Sequence, residues 1–229
     1  MIKSRIAAAA ALLAVAGAAQ AEVSVDAAWV SDYDWRGVQQ TSGHDALQLS
    51  GTYTHDSGFY AGLWGSSLVS DAEIDVFAGY AADIGDSGLG FDVGLNYYTY
   101  TNTGSTDANF VEGYAGLNYG VFSGKLWYSP EFGGDGGDPA FYLEGNAALP
   151  LGGSGLNLLA HVGYSKGDGI ELYYGGDDNY VDWSVGLGYD VGNFSTFVKW
   201  VDGSDVAGGN NNSQARVLFG ISTSLPWGE

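Results

Sequence analysis

The sequence predicts an all-β protein: one antiparallel, up-and-down transmembrane β-barrel of about 12 strands, within a range of roughly 10 to 14. Three observations predict this fold. Apolar and polar residues alternate with a period of two along most of the chain. Many alternating segments are roughly 8–11 residues long, close to the about 9–11 that a tilted strand needs to cross a bilayer. The connections alternate between long and short, as at the two rims of an outer-membrane barrel.

The first 21 residues are predicted to be a secretory signal peptide that is removed before folding. A short basic region is followed by the apolar run Ile6–Ala18, and Ala19–Ala21 has the small-residue form of a signal-peptidase site. The apolar run is roughly 13 residues, shorter than the ~20 of a membrane-spanning helix. We therefore expect export through the Sec pathway, cleavage after Ala21 and a barrel formed by residues 22–229. The alternative is a membrane anchor that is retained.

The composition of the mature chain limits its class and its partners. About 208 residues fit a single domain. Once the two basic residues of the leader are removed, five basic residues remain against 27 acidic ones, a net charge of −22. Such a surface repels nucleic acid and anionic membrane surfaces, which excludes nucleic-acid binding and polybasic attachment. There is no cysteine, so disulfides cannot stabilise the fold, and the 14% aromatic content argues against disorder.

Twelve segments carry the alternation, and in each we expect apolar residues to face lipid and polar residues to face the lumen. Aromatic residues collect near their ends, as in the girdles of membrane barrels. In chain order the segments are 23–30, 47–54, 59–63, 73–80, 91–97, 111–119, 122–128, 141–149, 156–165, 181–189, 194–200 and 216–227.

The first strand can be extended through residues 31–36. Trp35 then points to lipid and Arg36 into the lumen, which avoids the roughly 2–4 kcal/mol cost of a lipid-facing arginine near the midplane. In this interpretation Arg36 stands beside Asp34 and Asp32, on the same face. Two roles stay open for this group: a constriction that screens ions, or an interior salt bridge that rigidifies the wall. Lumenal parity is shared by the further constriction candidates Glu73, Asp75, Asp92 and Glu112, and by Glu144, Asp182, Lys125, Lys199 and Arg216.

The segment Ser31–Gln48 resembles the opening of the TorF family of proteins regarded as porins, also described as the Gcw_chp proteobacterial family. Members tend to read S-D-Y-x-x-R-G-x-x-Q-[ST], followed by P-A-L-Q, and Asp45 stands in place of that proline. The resemblance covers roughly the first half of the mature chain. It implies a porin and specifies no solute. Later family motifs are matched by Tyr60–Trp64, Glu73–Asp75, Gly79–Tyr80, Asp92–Tyr100 and Glu112–Tyr114.

The expected function follows from the size and the lining of the barrel. About twelve strands enclose more space than eight, which side chains fill, and less than the sixteen of aqueous porins. We predict a porin in the outer membrane of a Gram-negative bacterium, surrounded by lipid and lipopolysaccharide. It would form a narrow, net-acidic, water-filled path for passive diffusion of small solutes or ions. The alternatives are a lumen-closed structural or surface-interaction barrel and a soluble secreted barrel or lectin. The sequence does not specify the solute, gating or oligomeric state.

No enzyme activity, cofactor or metal site is predicted. No phosphate-binding loop, dinucleotide fingerprint or G-x-S-x-G turn occurs, and the three histidines are scattered. The acidic, glycine-rich loops Gly133–Asp138 and Gly175–Asn179 are interpreted in two ways. They are either solvated outer loops or calcium sites built from oxygen ligands.

Overall fold

A computed structural model describes residues 22–101, 108–203, 206 and 213–225, and it confirms the predicted barrel. Twelve long strands form one closed antiparallel sheet. Each strand pairs with its neighbours along the chain, and the first strand pairs with the last to close the ring. The predicted signal peptide, residues 1–21, lies outside the described residues. Among those described, no helix combines the length and the apolar character needed to cross a membrane.

The wall strands are β1 and β4 to β14, and the short strands β2 and β3 lie inside the barrel. A single short helix, α1, follows β11. In chain order the bounds are β1 Glu22–Val30, β2 Asp34–Trp35, β3 Val38–Gln39, β4 Ala46–Thr54, β5 Phe59–Ser67, β6 Ala72–Asp83, β7 Leu89–Tyr100, β8 Phe110–Tyr119, β9 Phe122–Ser129, β10 Ala140–Pro150, β11 Leu156–Lys166, α1 Asp168–Tyr174, β12 Asn179–Val191, β13 Phe194–Gly203 and β14 Arg216–Leu225.

The outer wall is apolar and the inner wall is largely polar, as the period of two predicts. Leu117 and Phe219 expose 56% and 49% of their surface on the outside of the barrel. Val185 is also exposed, whereas its neighbour Ser184 is buried on the inner side. This arrangement is inverted relative to a soluble protein, in which large apolar side chains fill the interior, and it matches a surface that contacts hydrocarbon.

The two rims differ in the length of their connections. The short-turn rim carries residues 55–58, 84–88, 120–121, 151–155 and 192–193, and the long-loop rim includes residues 31–45, 130–139 and 167–178. At the long-loop rim, the connection between β5 and β6 spans only residues 68–71, because β5 ends at Ser67 and β6 begins at Ala72. Helix α1 was not predicted, since it is only seven residues long and Ile170 is its one fully buried apolar side chain, which gives no helical period.

The predicted extension of the first strand is wrong. β1 ends at Val30, and the chain then turns into the lumen to form a two-stranded hairpin, Asp34–Gln39, called here the lumenal hairpin. Its central residues Arg36 and Gly37 have φ of 54° and 81°, as the tight turns of two-residue hairpins require. Trp35 therefore faces the barrel interior instead of lipid and stacks on Phe132 at 5.7 Å.

Candidate functional site

The base of the inward-folded segment is held by local hydrogen bonds to one carboxylate. The hydroxyl of Thr41 donates to Oδ1 of Asp32 at 2.6 Å and accepts the backbone N–H of Tyr33 at 2.9 Å. The backbone N–H of Gly43 donates to the same Asp32 oxygen at 3.3 Å. Asp32 therefore closes the loop on itself, in the way that aspartate side chains stabilise turns.

At the tip, Arg36 binds Glu112 on β8 across the lumen. Its two terminal nitrogens donate to the two carboxylate oxygens at 2.9 and 2.6 Å, a bidentate pair. Only 7% and 2% of the two side chains is exposed. The Tyr98 hydroxyl adds a hydrogen bond to Glu112 at 2.8 Å, and the guanidinium lies 4.3 Å from the ring centre of Tyr142. The pair therefore clamps the tip of the hairpin to the wall.

The predicted grouping of Arg36 with Asp32 and Asp34 is wrong, because the turn carries the arginine away from both. The two aspartates instead meet Arg216 of β14. Its Nε lies 3.2 Å from Asp32, its Nη2 pairs with Asp34, and its Nη1 donates to the carbonyl oxygen of Gly37 at 3.1 Å. Burial raises the pKa of the Asp34 carboxyl above its ordinary value, although Lys199 and Arg216 act in the opposite direction.

Gly37 meets the opposite wall directly. A Cβ at this position would lie 2.5 Å from the Cβ of Asp182 on β12, so the hairpin tip fits only without a side chain. The Arg36–Gly37 pair therefore touches two separate strands of the wall, one through its charge and the other through close packing.

The candidates Glu73 and Asp75 lie buried on β6 and are bonded to neutral groups. The Tyr33 hydroxyl of the inward-folded segment donates to Glu73 at 3.1 Å. The side-chain amide of Asn96 donates to one Asp75 oxygen at 2.9 Å, and the other Asp75 oxygen has no hydrogen-bond partner in the described part of the chain. Neither carboxylate forms an ion pair within the described ranges.

The remaining candidate, Asp92, forms a separate site on β7 toward the short-turn rim. Nζ of Lys125 lies 2.8 Å from one of its oxygens, and the Tyr60 hydroxyl donates to the other at 2.5 Å. The same ammonium lies 4.1 Å from the ring centre of Tyr114 and 5.0 Å from that of Trp127. We call these five residues the Asp92 niche.

A further polar network, not predicted as a group, links β10, β11 and β12. Nε2 of His161 lies 2.8 Å from Asp182, and its Nδ1 lies 2.7 Å from the side-chain oxygen of Asn146. Nε1 of Trp127 donates to Glu144 at 2.9 Å. Lumenal parity in the sequence places each of these residues inside the barrel, but it carries no signal for which of them meet.

An aromatic and aliphatic cluster packs the long-loop end of the lumen. This differs from the polar, wet lining expected for the whole lumen, because outer loops and the lumenal hairpin fold inward and bring apolar side chains with them. Toward the short-turn rim the inner wall stays polar and half-buried, with Asn118, Ser123 and Ser195. The cluster consists of Val38, Tyr98, Phe110, Phe132, Ala140, Ile170, Tyr180 and Val206, with Trp35, Tyr100 and Tyr174 against it.

The structure brings no metal ligands together in the ranges it describes: no group of three or more His, Asp or Glu side chains there has a suitable arrangement. In the loop Gly175–Asn179, Asp178 pairs with Lys166, and this hydrogen bond lowers the pKa of the Asp178 carboxyl. For this loop and for Gly133–Asp138, the two interpretations from the sequence, solvated outer loops or calcium sites, both stay open.

Comparison with known proteins gives one family and one fold. The sequence matches the family Gcw_chp, described as a bacterial protein of unknown function, over residues 14–219. The structure resembles that of the KdgM porin, with a TM-score of 0.57 and 14% identity over 87% of this chain and 98% of that one. The same porin in complex with disordered oligogalacturonate gives 0.57 and 15%, with the same coverage.

A further similar structure is that of the NanC porin. Its TM-score is 0.58 at 11% identity, over 89% of this chain and 98% of that one. At such low identities these likenesses show a shared fold. No functionally curated protein matches the sequence.

Proposed function

The chain belongs to the Gcw_chp family, and from that premise we propose that it is an outer-membrane porin, a non-catalytic channel. It would form a narrow, net-acidic, water-filled path for passive diffusion of small solutes or ions, with a preference for cations. The closed barrel, its apolar outer wall and its porin-like fold support this function. The unequal rims agree with an orientation in which the long-loop rim faces outward.

One observation carries the proposal: among the described residues, lumenal carboxylates outnumber lumenal cations. Several of them have neutral partners only; for example, Asp26 accepts hydrogen bonds from Ser50 at 2.9 Å and Ser224 at 2.5 Å. Fixed charge of one sign along a pore selects ions of the opposite sign. The acidic residues are Asp26, Asp32, Asp34, Glu73, Asp75, Asp92, Glu112, Glu144, Asp182 and Asp190, and the basic ones are Arg36, Lys125, Lys199 and Arg216.

The lumenal hairpin would set the narrowest point of this path. It starts from β1, and its tip reaches Glu112 on β8 and Asp182 on β12, so it crosses the lumen. Arg36 is fully engaged there by Glu112. Arg36 would therefore hold the hairpin in place and would not attract or repel a passing ion.

A preference for cations would make this barrel unsuited to the ligand that is named for one of its structural neighbours. Galacturonate units carry carboxylates, so the oligogalacturonate of the KdgM complex is a polyanion. In this lumen a polyanion would meet the excess of acidic side chains and would be repelled. We therefore expect this protein to exclude such a ligand.

Conductance across planar bilayers tests the proposal. The refolded mature barrel, checked by heat-dependent mobility on a gel, should give discrete conductance steps. In a tenfold KCl gradient its reversal potential should shift toward that of K⁺. A folded barrel that gives no conductance steps would refute the proposed channel. A shift of the reversal potential toward that of Cl⁻ would refute the proposed cation preference. Cell fractionation and the N-terminal residue of the mature protein test the outer-membrane location and the cleavage after Ala21.

A second candidate is a barrel with a closed lumen and a structural or surface-interaction role. The packed cluster at the long-loop end favours it, since Trp35 stacks on Phe132 and Tyr98 stacks on Phe110 at 4.5 Å. This candidate predicts no conductance for the wild type and conductance for a variant with a loosened hairpin, such as Arg36→Ala. The porin predicts steps from both proteins, larger in the variant.

A further inference from the structure

In the part of the chain that the structure describes, a side-chain cation sits between a carboxylate and aromatic rings at two places in the lumen. In one, Arg36 binds Glu112 through two hydrogen bonds and only 7% of its side chain is exposed. In the other, the Asp92 niche, Lys125 makes one contact to the carboxylate and 20% of its side chain is exposed. The first site is sealed, and the second is open to the lumen near the short-turn rim.

The Asp92 niche is built into the wall. The ring of Tyr114 lies across Gly94, where a Cβ would come 2.5 Å from the tyrosine oxygen, and Tyr60 lies across Gly79 in the same way. Glycines at these positions let both rings lie against the sheet, so their hydroxyls meet and Tyr60 reaches Asp92. The ring of Trp127 packs at 4.6 Å from that of Tyr114. The carboxylate and the ring faces are therefore fixed independently of the lysine.

We propose that the Asp92 niche is a binding site for small organic cations, primary ammonium or quaternary ammonium compounds, and that Lys125 occupies it as a tethered competitor. The proposal rests on the proposed cation-favouring path and names a solute class for it. A carboxylate supplies charge attraction, and the faces of Tyr114 and Trp127 attract cations through their ring quadrupoles. A neutral or anionic solute would gain neither interaction. The ammonium of Lys125 already occupies the niche, so the niche accepts a group of this chemical type.

A solute can displace Lys125 because the lysine is held at Asp92 by a single contact at the end of a flexible side chain. A lysine ammonium is a point charge on a flexible stem, whereas the planar fork of an arginine makes two fixed hydrogen bonds. The Lys125 side chain can swing toward the lumen, where Glu144, bonded to Trp127, offers a second carboxylate on the adjacent strand. The niche then holds the solute while the displaced lysine stays near negative charge.

Binding of putrescine to the mature barrel in detergent micelles, measured by calorimetry, tests the proposal independently of conductance. Lys125→Met should bind putrescine about tenfold more tightly than the wild type, because the competing ammonium is gone. The control is Lys199→Met, since Lys199 is also lumenal, its ammonium lies 5.6 Å from the centre of the Phe197 ring, and it has no ion pair in the described ranges. Its affinity should equal that of the wild type. Equal affinities in the two variants would overturn the proposal.

A second measurement uses the unmodified protein and needs no folded variant. Tetramethylammonium should increase acetylation of Lys125 several-fold by displacing it, while acetylation of Lys199 stays unchanged, as read by mass spectrometry. No increase at Lys125 at saturating tetramethylammonium would reject the niche. If the barrel binds these cations but shows no conductance steps, the proposed path is refuted and the binding site stands. If it shows conductance steps but binds no cations, the binding site is refuted and the path stands.

Discussion

Removal of the Arg36 side chain is the sharpest perturbation of this barrel. The arginine makes two hydrogen bonds to Glu112, and both side chains are almost fully buried. Arg36→Met keeps much of the apolar volume and leaves Glu112 as a buried carboxylate, with the Tyr98 hydroxyl as its one remaining donor among the described residues. Breaking a buried pair by removing one partner costs about 3–5 kcal/mol. We expect a loss of this size in the free energy of unfolding.

The cost belongs to the pair and not to the arginine alone, and a double-mutant cycle separates the two. Glu112→Gln should also destabilise the barrel, because it leaves an unpaired buried guanidinium. The combined variant should lose less than the sum of the single losses, since no uncompensated charge remains. A surface pair provides the control: Lys166→Met breaks the pair of Lys166 with Asp178, whose side chains are 47% and 38% exposed, and it should cost much less, because exposed ion pairs contribute little to stability.

Urea unfolding of the mature barrel in lipid vesicles, followed by tryptophan fluorescence, measures these differences. Trp35 and Trp127 lie within 6 Å of the Arg36 guanidinium and report on the site directly. The reasoning is refuted if Arg36→Met costs no more than Lys166→Met, or if the losses of the two single variants simply add.

Three further predictions concern the hairpin and the wall. Gly37→Ala should destabilise the barrel by more than Gly43→Ala; both residues have positive φ, but only the new Cβ of the first meets the wall, and urea unfolding compares them. Because burial raises the pKa of Asp34, the carboxyl of Asp34 binds its proton more tightly in the folded protein than in the unfolded chain. The unfolding free energy of the wild type relative to Asp34→Asn should therefore fall as pH rises from about 4, and a flat difference would contradict this. A cysteine at Val185, which is 43% exposed, should react with a lipid-soluble reagent, and a cysteine at Ser184, which is 8% exposed, with a water-soluble one. The reverse pattern would contradict the assignment of the outer and inner faces.

The motif around Arg36 acquires a physical meaning from these contacts. Asp32 ties the base of the inward-folded segment through Thr41, and Tyr33 bonds the wall at Glu73. Arg36 and Gly37 form the tip. Arg36 pairs with Glu112 through its charge, and Gly37 packs against Asp182 because it has no side chain. The spacing of the motif is thus the length of one hairpin that crosses the lumen. Sequence inspection finds the residues but takes them for a straight strand, because their alternation continues that of β1.

The sequence by itself determined the barrel, the number of wall strands and the inward face of each. These are local properties, since a period of two assigns every second side chain to one face and a lipid surround requires the other face to be apolar. It also placed Glu73, Asp75, Asp92 and Glu112 inside. The pairing of charges was decided only by the tertiary structure. Arg36 meets Glu112, 76 residues away, because a turn with two positive φ values reverses the chain, and closure of the barrel then brings β8 opposite the hairpin. Contacts across a lumen depend on the curvature and closure of the whole sheet, which no stretch of sequence encodes alone.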